Sequence, residues 1–209
     1  KVNAVRDRGA KVVLHGDNYD EASQHAKTLC EAQGLVYIPP YDDVDVIAGQ
    51  GTIGMEIVNQ HSEPLDAIFV PVGGGGLVAG VAAYVKYLHP QTKIIGVEAQ
   101  GSNCLDVAMR AGRRVRLPID QLDLFADGVS VAQIGKETFK VAKQYVDDVV
   151  VVNVDEICAA IKDVFEDTRC VAEPAGALAI AGMKRYVDAH PGMSNVVSIV
   201  SGANVNFDR

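Results

Sequence analysis

Four consecutive glycines, set between an apolar run and a helical one, constrain this chain more than any other feature. Residues 66–72 read DAIFVPV, Gly73, Gly74, Gly75 and Gly76 follow, and Leu77 opens LVAGVAAY. The apolar run is continuous rather than alternating, as in a strand covered on both faces. Glycine loses more conformational freedom on folding than any other residue, so four together mark a backbone with a special task. Positive φ angles let successive N–H groups converge on one point, and the start of the following helix adds unpaired donors and a partial positive charge. The segment predicts a strand, an anion cradle and a helix N-terminus.

The same alternation runs along the chain. Apolar, β-branched runs at 11–15, 35–38, 66–72, 93–98, 149–153 and 195–200 predict strands. Helical patterns at 52–60, 77–88, 103–111 and 134–145 lie between them. Asn18 with Glu21, and Asn153 with Glu156, have the spacing of capping boxes. Gly34 closes the first of these helices, and Pro174, after Glu173, suits a first-turn position. Repeated strand–helix order predicts an α/β fold: a doubly wound, mostly parallel sheet flanked by helices. Pro39-Pro40-Tyr41-Asp42-Asp43 marks a break, because two prolines cannot continue a sheet ladder. In a linker, Asp42, Asp43 and Asp45 are read as turn caps rather than as a metal site.

Composition removes several function classes. The chain has 209 residues, 48% hydrophobic, with a net charge of −8. Its one dense basic cluster, Arg110, Arg113, Arg114 and Arg116, has no interleaved aromatic, which argues against nucleic acid. That cluster is expected on a solvated helix end and the turn after it. The four cysteines lack CxxC spacing and the histidines are isolated, which argues against a disulfide framework or zinc site and for a reducing compartment. Cys170 is read as a small buried side chain. No metal site is expected. Residues 67–85 carry no charge, but Pro71 and the glycines break them, so no membrane span is expected.

Locally, the glycine loop admits two ligands. Gly74, Gly76 and Ala79 fit the dinucleotide fingerprint, and Glu98, 22 residues after Gly76, stands where a ribose-binding acid would. That reading predicts an NAD(P)-dependent oxidoreductase domain. The other reading is a terminal phosphate monoester held by the glycine run. No lysine follows as in a Walker loop.

The wider sequence adds AGQGT at 48–52, VPVGGGGL at 70–77, FADGV at 125–129, EPAGALA at 173–179 and SGANVNFD at 201–208. In this combination the chain resembles the threonine dehydratases, biosynthetic type, within the tryptophan-synthase-β-like (fold type II) group of pyridoxal-phosphate enzymes. The resemblance implies pyridoxal 5'-phosphate as cofactor and an amino-acid substrate, threonine or serine, in isoleucine biosynthesis. The implied reaction is α,β-elimination of L-threonine to 2-oxobutanoate and ammonia. It also implies a homo-oligomer in the complete enzyme and a cytoplasmic or plastid location. Residues 1–40 would be the C-terminal part of a small domain, and 41–209 the large cofactor-binding domain.

By the same resemblance, Gly73, Gly74, Gly75, Gly76 and Leu77 would give backbone N–H groups to the cofactor phosphate. Ser201 would meet the pyridine nitrogen, with Gly128 and Glu173 near the ring edge. The lysine that carries the cofactor has no counterpart in its expected context and is expected N-terminal to Lys1. The opening Lys1-Val2-Asn3-Ala4-Val5 reads as the middle of an amphipathic helix, so the chain is read as a piece of a longer polypeptide, inactive alone. A non-catalytic chain that only binds a partner remains a third reading.

Overall fold

The computed structural model describes residues 1–17 and 19–205. The chain forms two compact units, Lys1–Pro39 and Pro40–Arg209. In the first unit, α1 (Val2–Arg6) is a short turn of helix and α2 (Tyr19–Gln33) is the main element. Gly34 at φ +65° ends α2, and the Leu35 N–H reaches back to the Cys30 carbonyl at 2.9 Å, the glycine-terminated helix end expected from sequence. Asn18, the expected cap of α2, lies outside the described residues.

The strands expected at 11–15 and 35–38 do not form; both segments are extended or irregular backbone. A strand requires a hydrogen-bonded partner as well as β-branched side chains, and these segments have no ladder among the described residues. Their apolar side chains, including Leu14, Val36 and Ile38, are exposed.

In the second unit the expected sheet is present. Strands β1 (Ala67–Pro71), β2 (Lys93–Ala99), β3 (Asp148–Val152) and β4 (Val196–Ser198) form one all-parallel sheet in the order β3-β2-β1-β4. The remaining helices are α3 (Val44–Gln60), α4 (Gly76–Leu88), α5 (Cys104–Ala111), α6 (Lys136–Tyr145), α7 (Val154–Thr168) and α8 (Pro174–Ala189). α3 begins eight residues before the expected position 52, because Asp43 caps it by accepting from the N–H groups of Asp45 and Val46.

Alternate residues of β1 feed two cores, since side chains on a strand point to opposite faces. Ala67 and Phe69 pack with Leu178, Ala181 and Ile157 of α8 and α7. Ile68 and Val70 pack with Val78 and Val81 of α4, Leu105 of α5 and Phe139 of α6. α3 lies against α4 so closely that a Cβ on Gly51 would stand 3.2 Å from the Gly80 carbonyl oxygen.

The strand order carries the functional consequence. From β1 the chain proceeds to β2 and β3 on one side, then returns to place β4 on the other side of β1. Right-handed crossovers in opposite directions must use opposite faces, as the two cores show. Strand order therefore reverses between β1 and β4. In open α/β sheets the ligand crevice lies outside the carboxyl ends of the strands at that reversal. β1 leads into the four glycines and β4 into Ser201.

Candidate functional site

The glycine loop continues from β1 through Val72, whose N–H donates to the Val97 carbonyl at 2.8 Å. Gly75 sits at φ +93° and is the N-cap of α4, which has no side-chain cap. Gly74, Gly75 and Gly76 are buried. The carbonyls of Gly73, Gly74 and Gly75 are occupied. Gly73 accepts from the Cys104 thiol at 3.4 Å. Gly74 accepts from the Gly135 N–H at 3.2 Å and the Thr138 hydroxyl at 2.8 Å. Gly75 accepts from the Ala79 N–H at 3.0 Å. By contrast, none of the N–H groups of Gly73–Leu77 donates to a loop, cap or side-chain acceptor among the described residues. Buried, unpaired N–H groups in succession are costly unless an acceptor arrives from outside the chain. Five at a helix start suit a phosphate.

Close packing explains why the residues are glycines. A Cβ on Gly74 would overlap the Tyr41 ring, and one on Gly76 would stand 3.1 Å from the Tyr41 Cβ. A Cβ on Gly73 would lie 3.0 Å from the Val129 Cα. Tyr41 thus covers one side of the loop and the turn Asp127–Val129 closes the other. Tyr41, Thr138 and Cys104 were not singled out from sequence, because their relation to the loop is made only by tertiary contact.

The second half of the site gathers on the first turn of α8. Glu173 is its N-cap residue; its N–H donates to the Gly202 carbonyl at 3.1 Å and its Oε2 accepts from the Asn204 N–H at 3.1 Å. The Ser201 hydroxyl lies 3.4 Å from the Ala175 carbonyl oxygen, and Ser201 is exposed. A Cβ on Gly176 would overlap the Gly202 carbonyl oxygen. A Cβ on Gly128 would stand 3.0 Å from the Ala175 Cβ and 3.4 Å from Glu173 Oε1. Gly128 belongs to the same turn as Val129, which meets Gly73. A chain of close approaches thus links Gly73 through Val129 and Gly128 to Ala175 and Glu173, and Ser201 to the same Ala175, at the strand reversal. Residues 206–208, the end of the SGANVNFD motif, lie outside the described residues.

Glu98 points elsewhere. Its side chain is fully buried at the end of β2, where its two carboxylate oxygens accept from the N–H groups of Leu105 and Asp106 at 2.7 and 2.8 Å. It caps α5. Burial pushes its pKa up to about 8, against the pull of those two N–H groups. Burial, with the Glu98 carboxylate adjacent, likewise pushes the Cys104 thiol up, so the thiol stays protonated and remains a donor. A ribose-binding acid must be open to solvent, so the dinucleotide reading loses its acid.

The other singled-out residues are structural. Asp42 accepts from the N–H groups of Lys136, Glu137 and Thr138 and so caps α6. Arg110 pairs with Asp106 at 2.8 Å, and Arg114 donates to the Ile134 carbonyl at 2.8 Å. Cys170, expected to be buried, is exposed: Arg169 at φ 60° ends α7 before it, so Cys170 is not on the packed face of that helix. No helix among the described residues is long and apolar enough to cross a membrane.

Comparison with known proteins gives the family and the fold. The family model described as pyridoxal-phosphate dependent enzyme matches residues 1–202. The chain belongs to that family. It is 54% identical over 208 residues to the biosynthetic L-threonine dehydratase of Pasteurella multocida, covering 99% of this chain and 40% of that protein. It is 55% identical over 211 residues to the chloroplastic biosynthetic threonine dehydratase of Arabidopsis thaliana, covering 100% of this chain and 35% of the relative. Among solved structures, the processed form of threonine deaminase isoform 2 from Solanum lycopersicum superposes with a TM-score of 0.94 at 48% identity, over 99% of this chain and 60% of that one. The chain thus spans well under half the length of the first two relatives. Its fold, a parallel sheet flanked by helices, is that of the pyridoxal-phosphate threonine deaminases.

Proposed function

We propose that this chain supplies the phosphate cradle and the ring-facing wall of a pyridoxal-phosphate-dependent threonine dehydratase, which converts L-threonine to 2-oxobutanoate and ammonia. The observation that carries the reading is the run of N–H groups at Gly73–Leu77, buried at Gly74–Gly76, with no loop, cap or side-chain acceptor among the described residues, at the strand reversal that also places Ser201. The cradle fits a phosphate monoester, and the names of the similar proteins supply the substrate.

When bound, pyridoxal phosphate supplies an electron sink that permits loss of a Cα proton and a β-hydroxyl from an amino acid. The residues here divide the remaining work. Gly73, Gly74, Gly75, Gly76 and Leu77 present N–H groups, with the start of α4, to the phosphate. Ser201 offers the ring nitrogen a neutral hydroxyl, which can donate a hydrogen bond but cannot hold a proton there as a carboxylate would. A weaker sink favours expulsion of a β-leaving group over racemisation or amino transfer. Glu173 and Gly128 shape the ring edge, and Glu173 also fixes the Ser201 segment through Gly202 and Asn204. Residues 1–40 are read as belonging to a smaller domain, and the complete enzyme as a homo-oligomer in the cytoplasm or plastid.

The test is product formation by the full-length protein. With L-threonine it should release 2-oxobutanoate and ammonia in equal amounts, and a Gly74→Ala variant should release neither at a comparable rate. Formation of D-allothreonine, the product of inversion at Cα alone, or reduction of an added nicotinamide dinucleotide would overturn the reading.

A further inference from the structure

Four glycines in a row form the least self-ordered backbone a chain can have, yet the cradle needs their amides fixed in direction. A peptide unit is planar and trans, so the carbonyl of one residue and the N–H of the next point in opposite directions. Tying a carbonyl on one side of the loop therefore aims the next N–H to the other side. Two peptide units of this loop are tied in that way. The Gly73 carbonyl is held by the Cys104 thiol at 3.4 Å, which sets the Gly74 N–H. The Gly74 carbonyl is held by the Thr138 hydroxyl at 2.8 Å and the Gly135 N–H at 3.2 Å, which set the Gly75 N–H.

Both side chains are fully buried, and each is placed by a carboxylate. Thr138 lies in the first turn of α6, capped by Asp42 through three N–H groups at 2.7, 2.7 and 3.3 Å. Asp42 adjoins Tyr41, which covers Gly74 and Gly76, so one short segment both covers the loop and places its anchor. Cys104 is the first residue of α5, which Glu98 caps through Leu105 and Asp106.

We propose that Thr138 and Cys104 are positioning residues that orient the Gly74 and Gly75 amides toward a bound phosphate. This rests on the cradle reading above. A hydroxyl that merely satisfied a buried carbonyl would affect stability alone; one that aims an amide must also affect anion affinity in the folded protein.

The experiment measures binding of pyridoxine 5'-phosphate, which has no aldehyde to react with a lysine, by equilibrium dialysis to the full-length protein. The 31P chemical shift of bound inorganic phosphate and the melting temperature without ligand are recorded alongside. Thr138→Val keeps the shape and removes the donor. It should weaken binding about tenfold and move the 31P shift, while Thr138→Ser restores both to within about twofold of wild type. Cys104→Ala should weaken binding about threefold, the thiol being the weaker donor, and Cys104→Ser should restore it. If Thr138→Val does not fold, the Cys104 pair alone decides. Variants with a lowered melting temperature but wild-type affinity and 31P shift would overturn the proposal and leave the cradle standing. Absence of phosphate binding by the wild-type protein would overturn the cradle, and this proposal with it.

Discussion

The two halves of the crevice are built differently. At the end of β1, the carbonyls of Gly73, Gly74 and Gly75 are all engaged, Tyr41 packs over the loop, and three of the four glycines are buried. At the end of β4, Ser201 is exposed and its hydroxyl makes only a long 3.4 Å contact to a carbonyl. The segment around it is tied mainly through Glu173. One half is preorganised, and its geometry is over-determined by packing. The other is held at a few points and leaves a polar group ready for a partner. A phosphate needs fixed donors for affinity, whereas a ring contact that tunes chemistry needs only one well-chosen group. Damage to the two halves should therefore read out in different quantities.

The largest effect should come from Gly74→Ala. The added methyl overlaps the Tyr41 ring, so the ring or the loop must move. Overpacking of this kind costs about 1–3 kcal/mol, and displaced amides would lose the anion, so pyridoxine 5'-phosphate binding should fall roughly a hundredfold. Gly176→Ala breaks the opposite half, because its methyl overlaps the Gly202 carbonyl oxygen and pushes the Ser201 segment off α8. In this variant phosphate affinity should stay within about threefold of wild type, while 2-oxobutanoate formation falls roughly tenfold or more. Equal losses of affinity in the two variants would show that the halves are not independent.

The strand, the glycine turn and the helix start after it form where the sequence places them, because an apolar run, a glycine run and a helical pattern each have a local signature. The capping box at Asn153 and Glu156 forms as its spacing predicts, with both hydrogen bonds present. What could not be read was support from a distance. Nothing local in LCEAQGLVYIPPYDD shows that Tyr41 will cover Gly74 or that Asp42 will cap α6, more than ninety residues away in sequence. Glu98 misled for a related reason. Its position at the end of β2 matches a ribose-binding acid, and only the fold shows its carboxylate turned onto the α5 amides. The extended segments at 11–15 and 35–38 have strand composition, but pairing is not a property of composition.

Glu98 also gives the comparison a pH dependence. Its pKa is raised from 4.5 to about 8 in the folded chain, so between those values the folded state binds a proton that the unfolded state has released. Stability should therefore fall as pH rises through that window and level off above it. Glu98→Gln removes this slope. It also leaves one α5 amide facing an N–H₂ group, at a cost of about 1–3 kcal/mol. Denaturant midpoints at several pH values between 5 and 9 measure both effects. Because α5 carries Cys104, phosphate affinity should also weaken in Glu98→Gln, by no more than the roughly threefold loss expected of Cys104→Ala. A slope unchanged in Glu98→Gln would assign it to another group.

The mildest structural change is at Ser201. Ser201→Ala removes a neutral donor, and a neutral hydrogen bond contributes about 0.5–1.5 kcal/mol net, so pyridoxal phosphate affinity should fall by no more than about tenfold. The hydroxyl is already exposed and weakly engaged within the chain, so its loss leaves no buried group unpaired and stability should hold. Ser201→Asp separates affinity from chemistry. A carboxylate can hold a proton on the ring nitrogen that a hydroxyl cannot, which strengthens the electron sink. The expected outcome is near-normal phosphate binding with a lower ratio of 2-oxobutanoate to racemised or transaminated product. That ratio, measured in wild type and Ser201→Asp at matched cofactor occupancy, tests whether the lightly held half of the crevice sets the type of reaction. An unchanged ratio would move that role to a residue other than Ser201, while the glycine loop would keep its own.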